Sequence, residues 1–282
     1  MKTQQKTQVK FVVLTLLAVP LMAWGQDTDT SAQNDENSAA AEQAPVKTEL
    51  TLGVYALDDP SYRYGKYSGL TDDGAKALID FRVEKRPKWD SDDTLLFSLQ
   101  GWRMGLDSRR VEFKIEEQGT QSLKANYREI PNYRIGDGLT PYSGAGNDTL
   151  TLPAGWEVTT GSNDTSGFAT LHESLVDLQI DAKRRRLDLN YDRKLSAAWN
   201  VAVDYRHENK EGVRTVGGVF GNWPDNPRSV ILPAPVNYNT DNIEAMFNYA
   251  TQRLQFGFGA YASFFNNDTP TLSWQNAFGG QE

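Results

Sequence analysis

The 282-residue sequence contains no cysteine. That absence excludes disulfides, thiolate zinc centres, cysteine nucleophiles, iron–sulfur clusters and covalent attachment of c-type haem, all of which need a sulfur. Histidine is scarce too, with only His172 and His207 present. Long apolar runs stop early. After the first 25 residues nothing approaches the ~20 consecutive apolar residues of a membrane-spanning helix, and hydrophobic residues make up only 39% of the chain. Acids outnumber bases, 37 to 29, an imbalance that argues against nucleic acid as a partner. Aromatic residues are plentiful at 11%, with 7 Trp and 12 Tyr. A polar average combined with many rings suits a β-barrel that meets lipid on one face and water on the other.

The first 25 residues read as an export signal. Lys2, Lys6 and Lys10 form a basic start, residues 11–21 an apolar stretch, and Ala23-Trp24-Gly25 a small-residue site before Gln26. Cleavage there removes three lysines and no acid, leaving 26 basic and 37 acidic residues and a net charge of −11. Residues 26–46 carry Asp27, Asp29, Asp35, Glu36 and Glu42 with almost nothing to bury, and read as a disordered acidic periplasmic tether.

From residue 47 onward the dominant period is two. Val111, Phe113 and Ile115 alternate with Glu112, Lys114 and Glu116; Trp199, Val201, Val203 and Tyr205 alternate with Asn200, Ala202, Asp204 and Arg206. Residues 123–128, 243–249 and 254–264 repeat the pattern, and 48–57, 75–83 and 94–104 follow it more loosely. Each stretch is a strand with one apolar and one polar face. Several reach about 9–11 residues, enough to cross a bilayer at a tilt. Val176, Leu178, Ile180 and Ala182 are in one phase and Leu187, Leu189 and Tyr191 in the other, which predicts a turn or bulge within 183–186. Short turns are expected at 117–122, 194–198 and 250–253, and long outer loops at about 130–170 and 207–236. Trp102, Trp199, Tyr249 and Trp274 are candidates for interfacial aromatic girdles. The fold class expected is all-β: an antiparallel outer-membrane barrel, with about eight to ten strands read from the pattern.

Chemistry-bearing patterns are weak. No G-x-S-x-G elbow accompanies the two histidines, which read as solvated loop residues. The acids at 58–59, 72–73 and 90–93 lack EF-hand spacing and read as turns. Lys183-Arg184-Arg185-Arg186 fits a solvated turn, or a site for lipopolysaccharide phosphates or an acidic partner. No catalytic set, metal site or cofactor site is expected.

One stretch is not generic. Gly53-Val54-Tyr55 is followed by Ser61-Tyr62-Arg63-Tyr64-Gly65-Lys66-Tyr67-Ser68-Gly69-Leu70-Thr71-Asp72-Asp73-Gly74. This pattern resembles the start of the MtrB/PioB family of decahaem-associated outer-membrane proteins, and its motif positions are Tyr62, Gly65, Tyr67, Gly69, Leu70, Asp72 and Gly74. Asp204-Tyr205-Arg206-His207-Glu208, Lys210-Glu211-Gly212, Gly217-Gly218 and Leu272-Ser273-Trp274-Gln275-Asn276 fall in the family's order.

The resemblance implies a barrel of more than 20 strands in the outer membrane. Such a barrel sheathes a periplasmic decahaem c-type cytochrome that carries electrons across the membrane, often to or from an extracellular multihaem cytochrome. Glu112, Lys114, Glu116, Asp204, Arg206 and Glu244 would then face the lumen and touch the cytochrome or trapped water. Without cysteine the chain binds no c-haem itself, so every haem belongs to the partner. A diffusion porin or substrate-specific channel is the alternative, and an outer-membrane hydrolase a third reading. Two departures from the family stand out. The tether lacks the C-x-x-C pair of some members, and eight to ten strands are too few to enclose a haem protein. With an ending at residues 278–282 just after an outer loop, the sequence is expected to be the N-terminal portion of a larger barrel.

Overall fold

Alternating apolar and polar side chains favour extended backbone, and strands dominate the computed structural model, which describes residues 9–16, 46–59, 61–71, 73–158, 165–220 and 228–278. Ten strands form one antiparallel sheet: β1 Val9–Leu16, β2 Val46–Leu57, β3 Gly74–Lys85, β4 Leu95–Trp102, β5 Arg110–Glu117, β6 Gln121–Thr140, β8 Val176–Lys194, β9 Trp199–Val219, β10 Ser229–Ala250 and β11 Gln255–Asn267. Their spatial order is their chain order, a continuous meander with both edges open among the described residues. Two short strands, β7 Thr149–Leu150 and β12 Ser273–Trp274, pair in parallel outside the sheet. The short helices are α1 Tyr62–Gly65, a 3-10 turn at Thr165–Gly167, and α2 Leu171–Ser174.

Residues 9–16, which include the first part of the apolar run expected to serve as export signal, lie along β2 as β1, from Val9 opposite Leu57 to Leu16 opposite Leu50; the rest of that run lies outside the described residues. The valines and Thr15 of β1 suit an extended chain beside an open edge. The expected tether lies outside the described residues except for Val46, which opens β2.

Register carries the alternation across the sheet. Val83, Leu99, Phe113, Ala125, Leu189, Tyr205, Ile243 and Ala262 stand opposite one another in sequence across eight strands. They belong to an apolar face on which Leu50, Leu52, Val54, Phe256, Phe258 and Phe264 are exposed. An uncovered apolar sheet face of this extent is built for lipid. At one end short turns join β5–β6, β8–β9 and β10–β11, with a longer connection, residues 86–94, between β3 and β4; at the other end longer segments join β2–β3, β4–β5, β6–β8 and β9–β10.

Strand lengths differ from the expectation. Residues 130–140 belong to β6, 207–219 to β9 and 229–236 to β10, so these strands reach 20–22 residues and the loops are correspondingly shorter. Twenty-two residues span about 70 Å at roughly 3.3 Å per residue, twice what a bilayer crossing needs. β8 likewise runs unbroken through 183–186, and the register shifts lie instead in β6, between Tyr133 and Gly138. The change of apolar phase has another cause. Near the short turns the odd-numbered residues Leu187, Leu189 and Tyr191 form the apolar outer face. Toward the loop end the even-numbered Leu178 and Ile180 are buried on the inner face, as are Leu232, Ala234 and Val236 of β10.

A cap covers that inner face. Tyr142, Leu150, Phe168, Leu232 and Ala277 form its buried core, with Trp156, Trp274 and Phe278 packed around it. Rings tie it together: Trp156 lies 5.2 Å from Phe168, which lies 5.0 Å from Phe278. The Tyr142 hydroxyl donates to the Gln275 carbonyl at 3.0 Å, and Trp156 Nε1 donates to the Ala277 carbonyl at 2.8 Å. Burial pushes the Tyr142 phenol up to about 12, so it stays a neutral donor.

Candidate functional site: a charged inner face

The side of the sheet opposite the apolar face is lined with charge. One cross-strand row runs Glu49, Arg82, Gln100, Glu112, Asn126, Asp188, Arg206, Asn242, Ser263. The next, toward the short turns, runs Lys47, Glu84, Ser98, Lys114, Lys124, Asn190, Asp204, Glu244, Tyr261. Of the six side chains named from the sequence, Glu112 and Arg206 fall in the first row, and Lys114, Asp204 and Glu244 in the second. Glu116 begins a third row with Ser122 and Asp192.

Local pairs hold much of this charge in place. Arg110 reaches Glu112 at 2.7 Å and Lys114 pairs with Glu116. Asp188 accepts from Arg186 at 2.8 Å and from Arg206 at 2.7 Å. Asp204 and Glu244 stand directly opposite each other, two carboxylates side by side, and Asn190 donates to Asp204. Both signs are thus interspersed over the inner face, a surface compatible with water or a charged protein and not with lipid. No group of acids or histidines able to hold a metal occurs among the described residues.

Beyond the apolar band, polar side chains take over the outer face. His207, expected in a loop, sits in β9 with Nδ1 2.8 Å from Asp241, whose same oxygen accepts from the Tyr205 hydroxyl. His172 is exposed on α2. The 183–186 run is no free basic patch, because a strand sends alternate residues to opposite faces. Lys183 meets Asp107 at 3.1 Å, Arg184 meets Glu208 at 3.3 Å, Arg185 meets Glu211 at 2.7 Å, and Arg186 is held by Asp188. Of the expected girdle residues, Trp199 and Tyr249 stack on the outer face with Phe247 and Phe256 at the short-turn end. Trp102 shares the inner face with Arg110, and Trp274 belongs to the cap.

Asp107 fastens the β4–β5 loop to the wall. Partial burial would raise its pKa, but hydrogen bonds from the Tyr133 hydroxyl (2.9 Å) and the Lys183 ammonium (3.1 Å) outweigh it and hold the carboxyl below its usual range. A depressed native pKa adds stability above the unfolded value of about 3.9 and loses it as pH falls through the native value. Acidification from pH 5 to pH 3 is therefore expected to reduce hydrogen-exchange protection of the Glu129 amide, which donates to the Arg109 carbonyl. Asp107→Asn should already show the reduced protection at pH 6. Unchanged protection in both would remove Asp107 from this role.

The segment before β3 folds over the loop end of the wall. Ser61 caps α1, accepting from Tyr64 N at 3.4 Å. A Cβ on Gly65 would lie 2.5 Å from the Leu70 carbonyl oxygen, and Gly69 takes φ +81° against Asp107, so neither position tolerates a side chain. Leu70 is buried with Leu57 and Leu106. Lys76 Nζ donates to the Gly69 carbonyl at 2.8 Å, and Tyr133 N donates to the Lys66 carbonyl at 3.0 Å. The segment thus flanks β6 where β5 has already ended.

The family described as outer membrane beta-barrel porin, MtrB/PioB, matches residues 55–282. The chain belongs to the MtrB/PioB family. It is 35% identical over 181 residues to Outer membrane protein MtrB of Shewanella baltica (strain OS185); the match covers 64% of this chain and 25% of that protein. The chain thus spans about a quarter of the length of that relative.

The MtrB/PioB motif of this chain is an architectural one. Gly65, Gly69 and Leu70 shape the packed segment, Gly74 opens β3, Tyr62 begins α1, and Tyr67 remains largely exposed beside Lys66. Asp72 lies outside the described residues. As a member of an outer-membrane β-barrel family, the chain crosses with strands; no helix among the described residues is long and apolar enough to span.

Proposed function

We propose that this chain forms part of an outer-membrane sheath that holds a periplasmic multihaem c-type cytochrome and supports electron transfer across the membrane. The observation that carries the reading is the pair of charged rows on the inner face, from β2 to β11, carrying Glu112, Lys114, Asp204, Arg206 and Glu244. A wall of fixed, paired charges of both signs matches a folded protein surface with its own mixture of charges. The bilayer is too thick for one electron-tunnelling step, so redox centres must stand inside the wall. Because the chain has no cysteine, covalently attached haem has to come from the partner. An extracellular multihaem cytochrome would complete the path on the loop side.

The family's description as a porin favours a second reading, an aqueous channel lined by the same rows. Mild detergent extraction from native outer membranes separates the two. The sheath reading expects a haem-bearing protein in about one-to-one ratio, released by high salt as charged contacts are screened. Extraction without haem absorbance, together with ion conductance in planar bilayers, would reject the sheath and support the channel.

A further inference from the structure

We propose that the inner face carries a carboxylate-binding site at the loop end of β4–β6, formed by Arg103, Arg110 and Arg128 beside Trp102. Register makes the case. Arg110 stands directly opposite Arg128, and Arg128 directly opposite Arg186, three like charges in line across β5, β6 and β8. The row continues to Glu208, directly opposite Arg186; like charges directly opposite in a sheet are destabilising, so the two other arginines need anions of their own. Arg186 has Asp188 at 2.8 Å, and Arg110 has Glu112 at 2.7 Å. Arg128 has no such partner among the described residues, and its Nε is buried without a hydrogen bond.

Arg103 adds a second cation under backbone strain. It has φ +54°, unique among the described non-glycine residues. Its own amide donates to Asp80 at 2.6 Å, and the next amide donates to the Ile79 carbonyl at 3.0 Å. Strain of this kind persists where surrounding contacts over-determine it, and it gathers at binding sites.

These arginines line a cavity of about 400 Å³ with Trp102, Tyr67 and Ser108. Arg109 and Glu129 also border it but are engaged with each other at 3.3 Å. The Arg110 guanidinium lies over the Trp102 ring, 5.1 Å from its centroid; one terminal nitrogen donates to Glu112, which leaves its other N–H groups for an oxyanion. Guanidinium forks match a planar carboxylate two bonds at a time. That carboxylate has two sources: a free organic acid in the lumen, or a side-chain or propionate group on an enclosed partner. The second source rests on the sheath reading.

The test uses the full chain in detergent micelles, with succinate and inorganic phosphate titrated by calorimetry. Succinate should bind with a dissociation constant of about 1 mM, as two charge-assisted hydrogen bonds would give. Arg128→Gln and Arg103→Gln should each weaken it at least tenfold, while Arg214→Gln, remote from the cavity, leaves it unchanged. Arg128→Gln should unfold at the same temperature as the parent or higher, since it removes a like-charge opposition; a merely structural arginine would lower it. No succinate binding, tighter binding of phosphate, or equal loss in Arg214→Gln would overturn the site. A parallel extraction assigns the source. If haem-bearing protein co-purifies and Arg128→Gln lowers the salt needed to release it, the carboxylate belongs to the partner. Succinate binding in a chain that co-purifies no haem supports the site with a free acid as its ligand, while the sheath reading fails. Neither succinate binding nor haem retention would reject both.

Discussion

Val203→Arg is expected to lower the folding free energy by about 2–4 kcal/mol, read from urea titration of the chain refolded into phospholipid vesicles. Val203 stands between Tyr191 and Ala245 in the apolar face, well inside the band that ends at Trp199 and Tyr249. An arginine there must bring its guanidinium into hydrocarbon or drag it to the interface at the expense of packing. Its chain neighbour provides the control. Ala202 points to the inner face opposite Asp192 and Met246, where a cation gains a carboxylate neighbour, so Ala202→Arg should change stability by less than about 0.5 kcal/mol. Equal costs at the two positions would mean that the faces have been assigned wrongly. The contrast is sharp because the residues are adjacent, with the same strand, depth and backbone.

Leu232→Ala should loosen the cap by about 2–5 kcal/mol, the range for truncating a fully buried leucine. Leu232 is fully buried, within a core that also holds Tyr142, Leu150 and Phe168. Its neighbour Ile231 is 74% exposed on the other face, and Ile231→Ala should cost under about 0.5 kcal/mol. The loss should stay local, because the cap packs against one end of a sheet whose ladders extend far beyond it. Hydrogen exchange of residues 140–158 and 272–278 should accelerate in Leu232→Ala, while β5, β6 and the short-turn half of β8 keep their protection. Uniform acceleration through the sheet would show instead that cap and wall unfold together.

The wall was largely legible in the sequence. Period-two runs placed the strands, and their parity put Glu112, Lys114, Glu116, Asp204, Arg206 and Glu244 on one face. What misled was the change of apolar phase in 176–191. A phase change reads as a turn when one face is assumed to stay buried throughout. Here the strand continues and its surroundings change, from lipid on one side to a cap on the other. For the same reason 130–140, 207–219 and 229–236 looked like loop: beyond the lipid, outer-face positions are polar and the simple pattern dissolves. Trp102 and Trp274 show that an aromatic near a strand end does not reveal its face, although Trp102 shares parity with Gln100 and Ser98. The cap was hidden because Tyr142, Leu150, Trp156 and Phe168 are scattered without period through a Gly-, Asn- and Thr-rich stretch. The line of Arg110, Arg128 and Arg186 could not be read at all, since register between strands is not written in any single strand.

The reversal of apolar phase along β8 and β10 also limits how such a chain can change in length. Side chains on a strand obey a reading frame of two. Deleting one residue between Ala182 and Leu187 would shift one half of β8 out of frame against the other. Either the lipid would meet Asp188 and Asn190, or the cap would meet Asp177 and Gln179. Length variation in this wall is therefore expected in pairs of residues within strands, with single insertions and deletions absorbed at bulges such as those between Tyr133 and Gly138 of β6 or in the connections at either end.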